Sequence, residues 1–156
     1  MINKTDTSEM GRITCSCAIR ARTARMPELP AQLARPLILL VEDEHAIRKV
    51  MEILFEDEGY QVVLAQNGRE GLAILADLVP DLIITDYMMP ELDGVGLLRA
   101  VRRDCRVRDV PVLLMSSVPV ANLPGHEMAD QTFLKGGQLT SLLNIVATLV
   151  ESAPFE

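Results

Sequence analysis

Polar side chains follow four short apolar runs of the sequence, and their types suit metal and phosphoryl chemistry. Glu42 and Asp43 follow one run, and Asp86, Ser116 and Lys135 follow three others. Crowded carboxylates repel one another and favour a hard divalent cation, of which Mg²⁺ is the usual one. A hydroxyl and an ammonium group would suit a phosphoryl group beside that metal. An aspartate in such a place can attack phosphorus and form an acyl phosphate, which makes Asp86 the candidate nucleophile.

These residues come together only if the apolar runs are strands of one sheet. Runs that are apolar throughout are typical of strands buried on both faces, and helical patterns separate them here. Strands that alternate with helices predict an α/β fold with a doubly wound, five-stranded parallel sheet flanked by helices. Ligands bind beyond the carboxyl ends of such strands. The predicted strands are Leu37–Val41, Gln61–Ala65, Asp81–Thr85, Val110–Met115 and Thr132–Leu134.

Two stretches beside the fourth predicted strand fit poorly with the alternation of strands and helices. Residues 117–131 contain Pro119, Pro124 and Gly125, so the helix expected there is short or degraded. An arginine group within residues 99–108 precedes the strand. We interpret it as the solvated end of a helix, where the negative end of the helix dipole favours cations.

Composition excludes several classes of protein. The chain has 156 residues, of which 49% are hydrophobic, so it is long and apolar enough to bury a core. A net charge of −7, 3% aromatic residues and the lack of tryptophan argue against a nucleic-acid partner. No apolar run approaches the roughly 20 residues that span a membrane. We expect a soluble, cytoplasmic domain that binds neither nucleic acid nor membranes.

Charge divides the chain into two parts. Residues 1–36 hold six basic and three acidic residues and three prolines without sustained periodicity, which predicts a flexible tail before a folded domain at 37–152. A secretory signal is a weaker alternative because the apolar stretch Ile13–Ile19 is short, and two acidic residues weaken an Arg-rich targeting segment. Cys15 and Cys17 lack the spacing of a redox or zinc motif, so unpaired thiols are the simplest interpretation.

Four ordered motifs resemble those of the receiver domains of two-component response regulators, over about residues 37–150. The motifs are VEDE at 41–44, IITDYMMP at 83–90 with DG at 93–94, PVLLMS at 111–116, and FLK at 133–135. The resemblance implies a flavodoxin-like sheet with strand order 2-1-3-4-5. It also implies that Asp86 is the phosphoacceptor, and that Glu42 and Asp43 hold Mg²⁺ with help from Asp86 and the backbone carbonyl of Met88.

The same resemblance assigns the remaining polar residues. Ser116 would bond to the phosphoryl oxygens, and Lys135 would pair with the phosphate. Two positions depart from the family pattern: Gly136 stands where the family usually has proline after the lysine, and Thr132 stands where it usually has an aromatic switch residue. The stretch from Ser116 to Lys135 is also shorter than is usual in the family, and the face that it forms there commonly carries the output signal.

The resemblance implies a phosphoacceptor that is not a turnover enzyme, with a sensor histidine kinase or a histidine phosphotransfer protein as phosphodonor and an unknown downstream protein as target. Only Glu151–Glu156 follow the last helical pattern, so we expect a stand-alone receiver that signals by protein contacts or phosphorelay. One alternative is a pseudo-receiver that binds partners without phosphorylation. Another is a metal-dependent phosphatase with an aspartyl nucleophile. The phosphatase is disfavoured because Met88 stands where such enzymes usually place a second acid.

Overall fold

The structure, a computed structural model, describes residues 35–153. The predicted tail at 1–36 lies outside the described residues except for its last two. Within the described part, no helix is long and apolar enough to cross a lipid bilayer.

A parallel sheet lies between two layers of helices. Within residues 35–153, the strands are β1 (Leu37–Val41), β2 (Gln61–Ala65), β3 (Leu82–Asp86), β4 (Val112–Ser116) and β5 (Gln131–Leu134). The α-helices are α1 (His45–Asp57), α2 (Gly68–Asp77), α3 (Gly94–Arg103) and α4 (Leu139–Glu151). All neighbouring strands pair in parallel, in the order β2-β1-β3-β4-β5. The predicted doubly wound, flavodoxin-like fold is confirmed.

Apolar side chains on both faces of the sheet explain why the strands are apolar throughout. On one face, Ile38 and Leu40 pack with Phe55 of α1 and residues of α4. On the other face, Leu39 packs with Leu97 of α3 and residues of α2. Each fully buried side chain of this size stabilises the fold by about 2 kcal/mol relative to an exposed one. The sheet therefore forms the centre of the hydrophobic core.

Two strands end later than the sequence pattern predicts. The strands expected at Asp81–Thr85 and Val110–Met115 instead end with Asp86 and Ser116. The hydrogen-bonded ladder continues to these polar residues, since Asp86 pairs with Met115 across the two strands. The polar side chains at this edge are consequently held by the sheet itself and not by a loop.

The connection between β4 and β5 has no α-helix, as the sequence predicts. It contains two single 3₁₀ turns, Val120–Asn122 and His126–Met128. Pro119 immediately precedes the first turn, and Gly125 adopts φ of +83° before the second. A left-handed residue interrupts any regular helix through this stretch.

Arg102 fastens this helix-free connection to the rest of the fold. Its Nη1 atom donates to the carbonyls of Arg108 and Val110 at 2.6 and 2.9 Å, and its Nε donates to the carbonyl of Met128 at 3.1 Å. Its Nη2 lies 2.6 Å from Asp130 Oδ2. The interpretation of the arginine group as a solvated helix end is therefore wrong for Arg102, because the folded chain brings carbonyl acceptors around its guanidinium.

Candidate functional site

The carboxylates of Glu42, Asp43 and Asp86 meet where β1 and β3 end. Val41 pairs with Thr85 in the sheet register, so Glu42 and Asp86 follow at the same level of adjacent strands. One carboxylate oxygen from each of the three acidic residues lies within 4.8 Å of the others. Glu42 is fully buried and Asp86 is 7% exposed, whereas Asp43 is exposed. The structure brings together the three acids that the sequence singles out.

Lys135 joins two of these acids from the end of β5. Its Nζ atom lies 2.7 Å from Glu42 Oε2 and 2.7 Å from Asp86 Oδ2, and it donates a hydrogen bond to Asp86. Burial raises the pKa of Glu42, while the ammonium group of Lys135 opposes that rise. Burial by itself lowers the pKa of Lys135, but the hydrogen bonds and charges of Asp86 and Glu42 outweigh it and raise that pKa. Lys135 is therefore a cation that offsets the crowded negative charge.

The acid cluster keeps an oxygen available for a cation. Within residues 35–153, the contact of the buried Glu42 Oε2 atom is the Lys135 ammonium group at 2.7 Å. Its other oxygen accepts a hydrogen bond from the Glu44 backbone N–H at 3.2 Å. A buried carboxylate that already lies beside one cation and two further carboxylates fits the oxygen ligands that Mg²⁺ prefers. The Met88 side chain is 72% exposed, and the role of the Met88 backbone carbonyl as a ligand stays a prediction.

Ser116 lies at the same edge of the sheet, at the end of β4. Its side chain is buried, and its hydroxyl oxygen accepts a hydrogen bond from the Val118 backbone N–H at 3.1 Å. Its carbonyl accepts from the Lys135 N–H at 2.7 Å, which aligns the ends of β4 and β5. The register of the sheet thus delivers the predicted hydroxyl and ammonium groups to the edge that carries the acids.

The loop after β3 packs closely against the backbone of Asp86. A Cβ atom on Gly94 would lie 2.1 Å from the Asp86 carbonyl oxygen, so only glycine allows α3 to begin so near this strand. The Gly94 N–H donates to the Tyr87 carbonyl at 3.1 Å. The Tyr87 hydroxyl in turn donates to the Pro124 carbonyl at 3.2 Å. Backbone contacts therefore position Asp86 from the side of α3.

Two residues that the sequence does not single out for a role, Arg48 and Tyr87, contribute to this site. The Arg48 guanidinium donates to the backbone carbonyl of Glu42 in a short contact and to that of Asp43 at 3.3 Å. These bonds hold the backbone beneath two of the acids. The Tyr87 hydroxyl links the site to the helix-free connection. For Arg48 the only signal in the sequence is its place in the first turns of α1, and many surface arginines share such a place.

The two departures from the family pattern have structural counterparts. Gly136, directly after Lys135, adopts φ of +89°. Proline has φ fixed near −65°, so it could not occupy this backbone conformation. Thr132 is partly buried on β5, and no aromatic ring occupies its position. Lys135 therefore contacts both acids with glycine after it and threonine three residues before it.

Comparisons with known proteins agree with this geometry. The model of the response regulator receiver domain matches residues 38–133. The DNA-binding dual master transcriptional regulator RpaA of Synechocystis sp. is 40% identical over 83 residues, which are 53% of this chain and 34% of that protein. The chain thus spans about a third of the length of the curated relatives that it matches.

Solved receiver structures are similar over most of the chain. The signal receiver domain of a histidine kinase from Syntrophus aciditrophicus is 29% identical, with a TM-score of 0.71 over 78% of this chain and 94% of that one. The response regulator TrrA of Thermotoga maritima, in complex with Mg²⁺ and BeF, is 27% identical, with a TM-score of 0.68 over 73% of this chain and 98% of that one. Sequence, sheet order and the acidic edge therefore agree, and the chain belongs to the family of response regulator receiver domains of two-component systems.

Proposed function

We propose that Asp86 accepts a phosphoryl group from the phosphohistidine of a sensor histidine kinase or a histidine phosphotransfer protein, in a Mg²⁺-dependent reaction. The observation that carries the proposal is the contact of Lys135 with Glu42 and Asp86 at 2.7 Å, within a cluster that includes Asp43. The candidate nucleophile, the lysine ammonium group and the acids that could bind a metal therefore lie at the same edge of the sheet. The complex of TrrA with Mg²⁺ and BeF supports the metal requirement.

The contacts of Asp86 suit a nucleophilic role. Lys135 binds its Oδ2 atom, and within residues 35–153 no hydrogen bond reaches Oδ1, which leaves that oxygen available for attack. The carboxylate oxygen forms a bond to phosphorus as the phosphorus–nitrogen bond of the donor breaks and the imidazole nitrogen keeps the electron pair. Mg²⁺ held by Glu42, Asp43 and Asp86, with the Met88 carbonyl as a further ligand, would offset the negative charge of the phosphoryl group.

Ser116 and Lys135 would receive the transferred group. The Ser116 hydroxyl already accepts from Val118 and keeps its own proton to donate to a phosphoryl oxygen. Lys135 would exchange part of its contact with the acids for the added negative charge. The protein would then signal through protein contacts or pass the phosphoryl group onward, as a phosphoacceptor and not as a turnover enzyme. That the protein acts in the cytoplasm and binds no nucleic acid stays a prediction.

The proposal is tested by phosphorylation with a small phosphodonor. We expect acetyl phosphate with Mg²⁺ to add one phosphoryl group to the 156-residue chain, as measured by intact mass spectrometry. Chelation of the metal should lower the labelling rate by about tenfold or more, because the acids then repel the donor. Labelling that is insensitive to the chelator would contradict the role of the metal.

A second candidate is a pseudo-receiver that binds a partner without phosphorylation. The observation that favours it is the positive φ of Gly136, a backbone conformation that excludes proline, together with threonine at position 132. A protein of this kind would take up no phosphoryl group from acetyl phosphate with Mg²⁺. The same labelling experiment therefore separates the two candidates.

We expect the phosphorylated protein to be long-lived. Hydrolysis needs a water molecule in line with the bond between Asp86 and phosphorus, and the side chains two residues beyond Asp86 and Ser116 flank that approach in this family. These are Met88, 72% exposed, and Val118, 48% exposed, neither of which can hydrogen-bond to a water. The variant with Met88→Asn and Val118→Glu should lose phosphate faster than the wild type, as followed by mass spectrometry after removal of the donor. An unchanged rate would show that these side chains do not control the lifetime.

The connection between β4 and β5 should respond to phosphorylation. Ser116 forms a hydrogen bond with the start of this connection, and Arg102 forms one with its end. The residues between them, 119–124, receive a tertiary hydrogen bond from the Tyr87 hydroxyl. We expect fast hydrogen exchange at 119–124 in the unmodified protein and slower exchange with beryllofluoride, a phosphoryl analogue, because its contact with Ser116 would order the adjoining backbone. Strong protection in both states would exclude this switch.

A further inference from the structure

The turn between β1 and α1 carries two of the three clustered acids and lacks the usual side-chain cap of a helix. β1 ends at Val41 and α1 begins at His45, so residues 42–44 connect them. Glu44 precedes the helix, and its side chain makes no hydrogen bond to the first turn, although such a bond commonly fixes the start of a helix. The Glu44 N–H instead donates to the Glu42 carboxylate at 3.2 Å. The orientation of the residue between them therefore depends on contacts from elsewhere.

That residue, Asp43, has the least supported carboxylate of the three. Lys135 lies 2.7 Å from Glu42 Oε2 and 2.7 Å from Asp86 Oδ2, so it holds the other two carboxylates. The Asp43 side chain is exposed, and within residues 35–153 no hydrogen bond or ion pair reaches its carboxylate. The place of this carboxylate beside the other two consequently depends on the backbone that carries it.

Arg48 holds that backbone on both sides of Asp43. Its Nη1 atom donates to the Glu42 carbonyl in a short contact and to the Asp43 carbonyl at 3.3 Å. These carbonyls belong to the two peptide planes that flank the Asp43 Cα atom, so the two bonds restrict both of its backbone dihedral angles. The direction of the Cα–Cβ bond follows from these angles. Arg48 therefore determines where the Asp43 carboxylate can lie.

Arg48 supports the acids without occupying their carboxylate oxygens. Among the residues that the structure describes, its guanidinium forms no ion pair with a carboxylate, and its Nη2 atom lies 3.4 Å from His45 Nδ1. Its positive charge by itself would repel a divalent cation at the acid cluster. The position that it imposes on Asp43 would instead favour that cation. The two effects of Arg48 on cation affinity have opposite signs, so the affinity of a variant shows which is larger.

We propose that Arg48 is a positioning residue for the metal and raises the affinity for Mg²⁺ by holding the Asp43 carboxylate beside those of Glu42 and Asp86. The proposal rests on the Mg²⁺ site of the proposed function and adds a residue that acts through the backbone of the acids. Residues that orient metal ligands in this way change metal affinity by about tenfold or more when they are replaced. The positioning effect of Arg48 is therefore larger than the repulsion by its charge.

Titration of the isotope-labelled protein with magnesium chloride, followed by two-dimensional NMR, tests the proposal without a phosphodonor. Arg48→Met keeps most of the apolar stem and removes the guanidinium. We expect it to weaken Mg²⁺ binding by about tenfold, because the Asp43 carboxylate is then free to turn away from the other two. Arg103→Met makes the same change at an exposed residue that ends α3, and it should bind Mg²⁺ like the wild type. Unchanged or tighter binding by Arg48→Met would overturn the proposal.

A double-mutant cycle tests whether Arg48 acts through Asp43. Asp43→Ala removes the carboxylate whose position is at issue, and it should weaken Mg²⁺ binding by itself. Adding Arg48→Met to that variant should then weaken binding by less than about twofold, because no Asp43 carboxylate remains to be positioned. A further loss of about tenfold would overturn the route through Asp43. A merely structural role of Arg48 would give that same loss in both backgrounds.

The NMR spectra also report whether each variant is folded. If Arg48→Met does not fold, Arg48→Lys takes its place, because lysine keeps the charge but is one bond shorter and lacks the planar guanidinium. It should weaken Mg²⁺ binding by about threefold or more, and wild-type affinity would overturn the proposal. A wild type that binds no Mg²⁺ would overturn both this proposal and the metal requirement of the proposed function. Binding by the wild type that Arg48→Met leaves unchanged would overturn this proposal alone.

Discussion

Asp86→Asn should abolish phosphoryl incorporation from acetyl phosphate, with a fall of about a hundredfold or more relative to the wild type. The amide has nearly the shape of the carboxylate, so its oxygen can still accept the hydrogen bond from Lys135. It lacks the negative charge that makes the Asp86 carboxylate a nucleophile. Intact mass spectrometry at several times after mixing measures the rate for both proteins.

A matched control separates chemistry from folding. Asp57→Asn makes the same substitution at an exposed residue that ends α1, and it should be labelled like the wild type. Both variants should show a cooperative thermal transition by circular dichroism. Equal labelling of Asp86→Asn and the wild type would show that another residue is the phosphoacceptor.

Gly94→Ala should destabilise the protein by about 3 kcal/mol or more. The added Cβ would lie 2.1 Å from the Asp86 carbonyl oxygen and 3.1 Å from a methyl carbon of Leu114. The first obstacle is backbone in a central strand and cannot move as the end of a flexible side chain could. Either α3 or the end of β3 must therefore shift, and a shift of β3 would also displace the Asp86 carboxylate. Chemical denaturation gives the free energy of unfolding.

Gly71→Ala in α2 is the control for this substitution. Its added Cβ would meet a methyl carbon of Val41 at 3.2 Å, which is close but involves only side-chain atoms. Alanine also has a higher helix propensity than glycine by about 1 kcal/mol, so the two effects should nearly cancel. A smaller loss of stability for Gly94→Ala than for Gly71→Ala would show that the approach of α3 to Asp86 is not a close steric contact.

Several features of the fold could be predicted because local sequence determines them. A strand that packs helices on both faces must be apolar throughout, so the runs at 37–41 and 112–115 indicate a parallel sheet before any contact is known. Pro119 and Gly125 oppose a regular α-helix through the interior of this stretch, and the connection between β4 and β5 has no α-helix. The ordered motifs then place the candidate residues at the ends of strands.

Other features depend on residues that are distant in sequence, and no local pattern reveals them. Arg102 bonds to Met128 and Asp130, which approach it only after β4 and β5 have paired. The strand ends at Asp86 and Ser116 depend on hydrogen bonds from neighbouring strands, which a window of single-strand sequence does not contain.

The sequence by itself determined which residue types stand at the strand ends, because the period of the apolar pattern and the motif spacing are local properties. Only the tertiary structure decided how deeply these side chains are buried and which charges lie beside them. Burial raises the pKa of Glu42, and the ammonium group of Lys135, 2.7 Å from Glu42 Oε2, opposes that rise without cancelling it. These properties arise from desolvation and from charges contributed by β1, β3 and β5 together, and they exist only once the sheet has assembled.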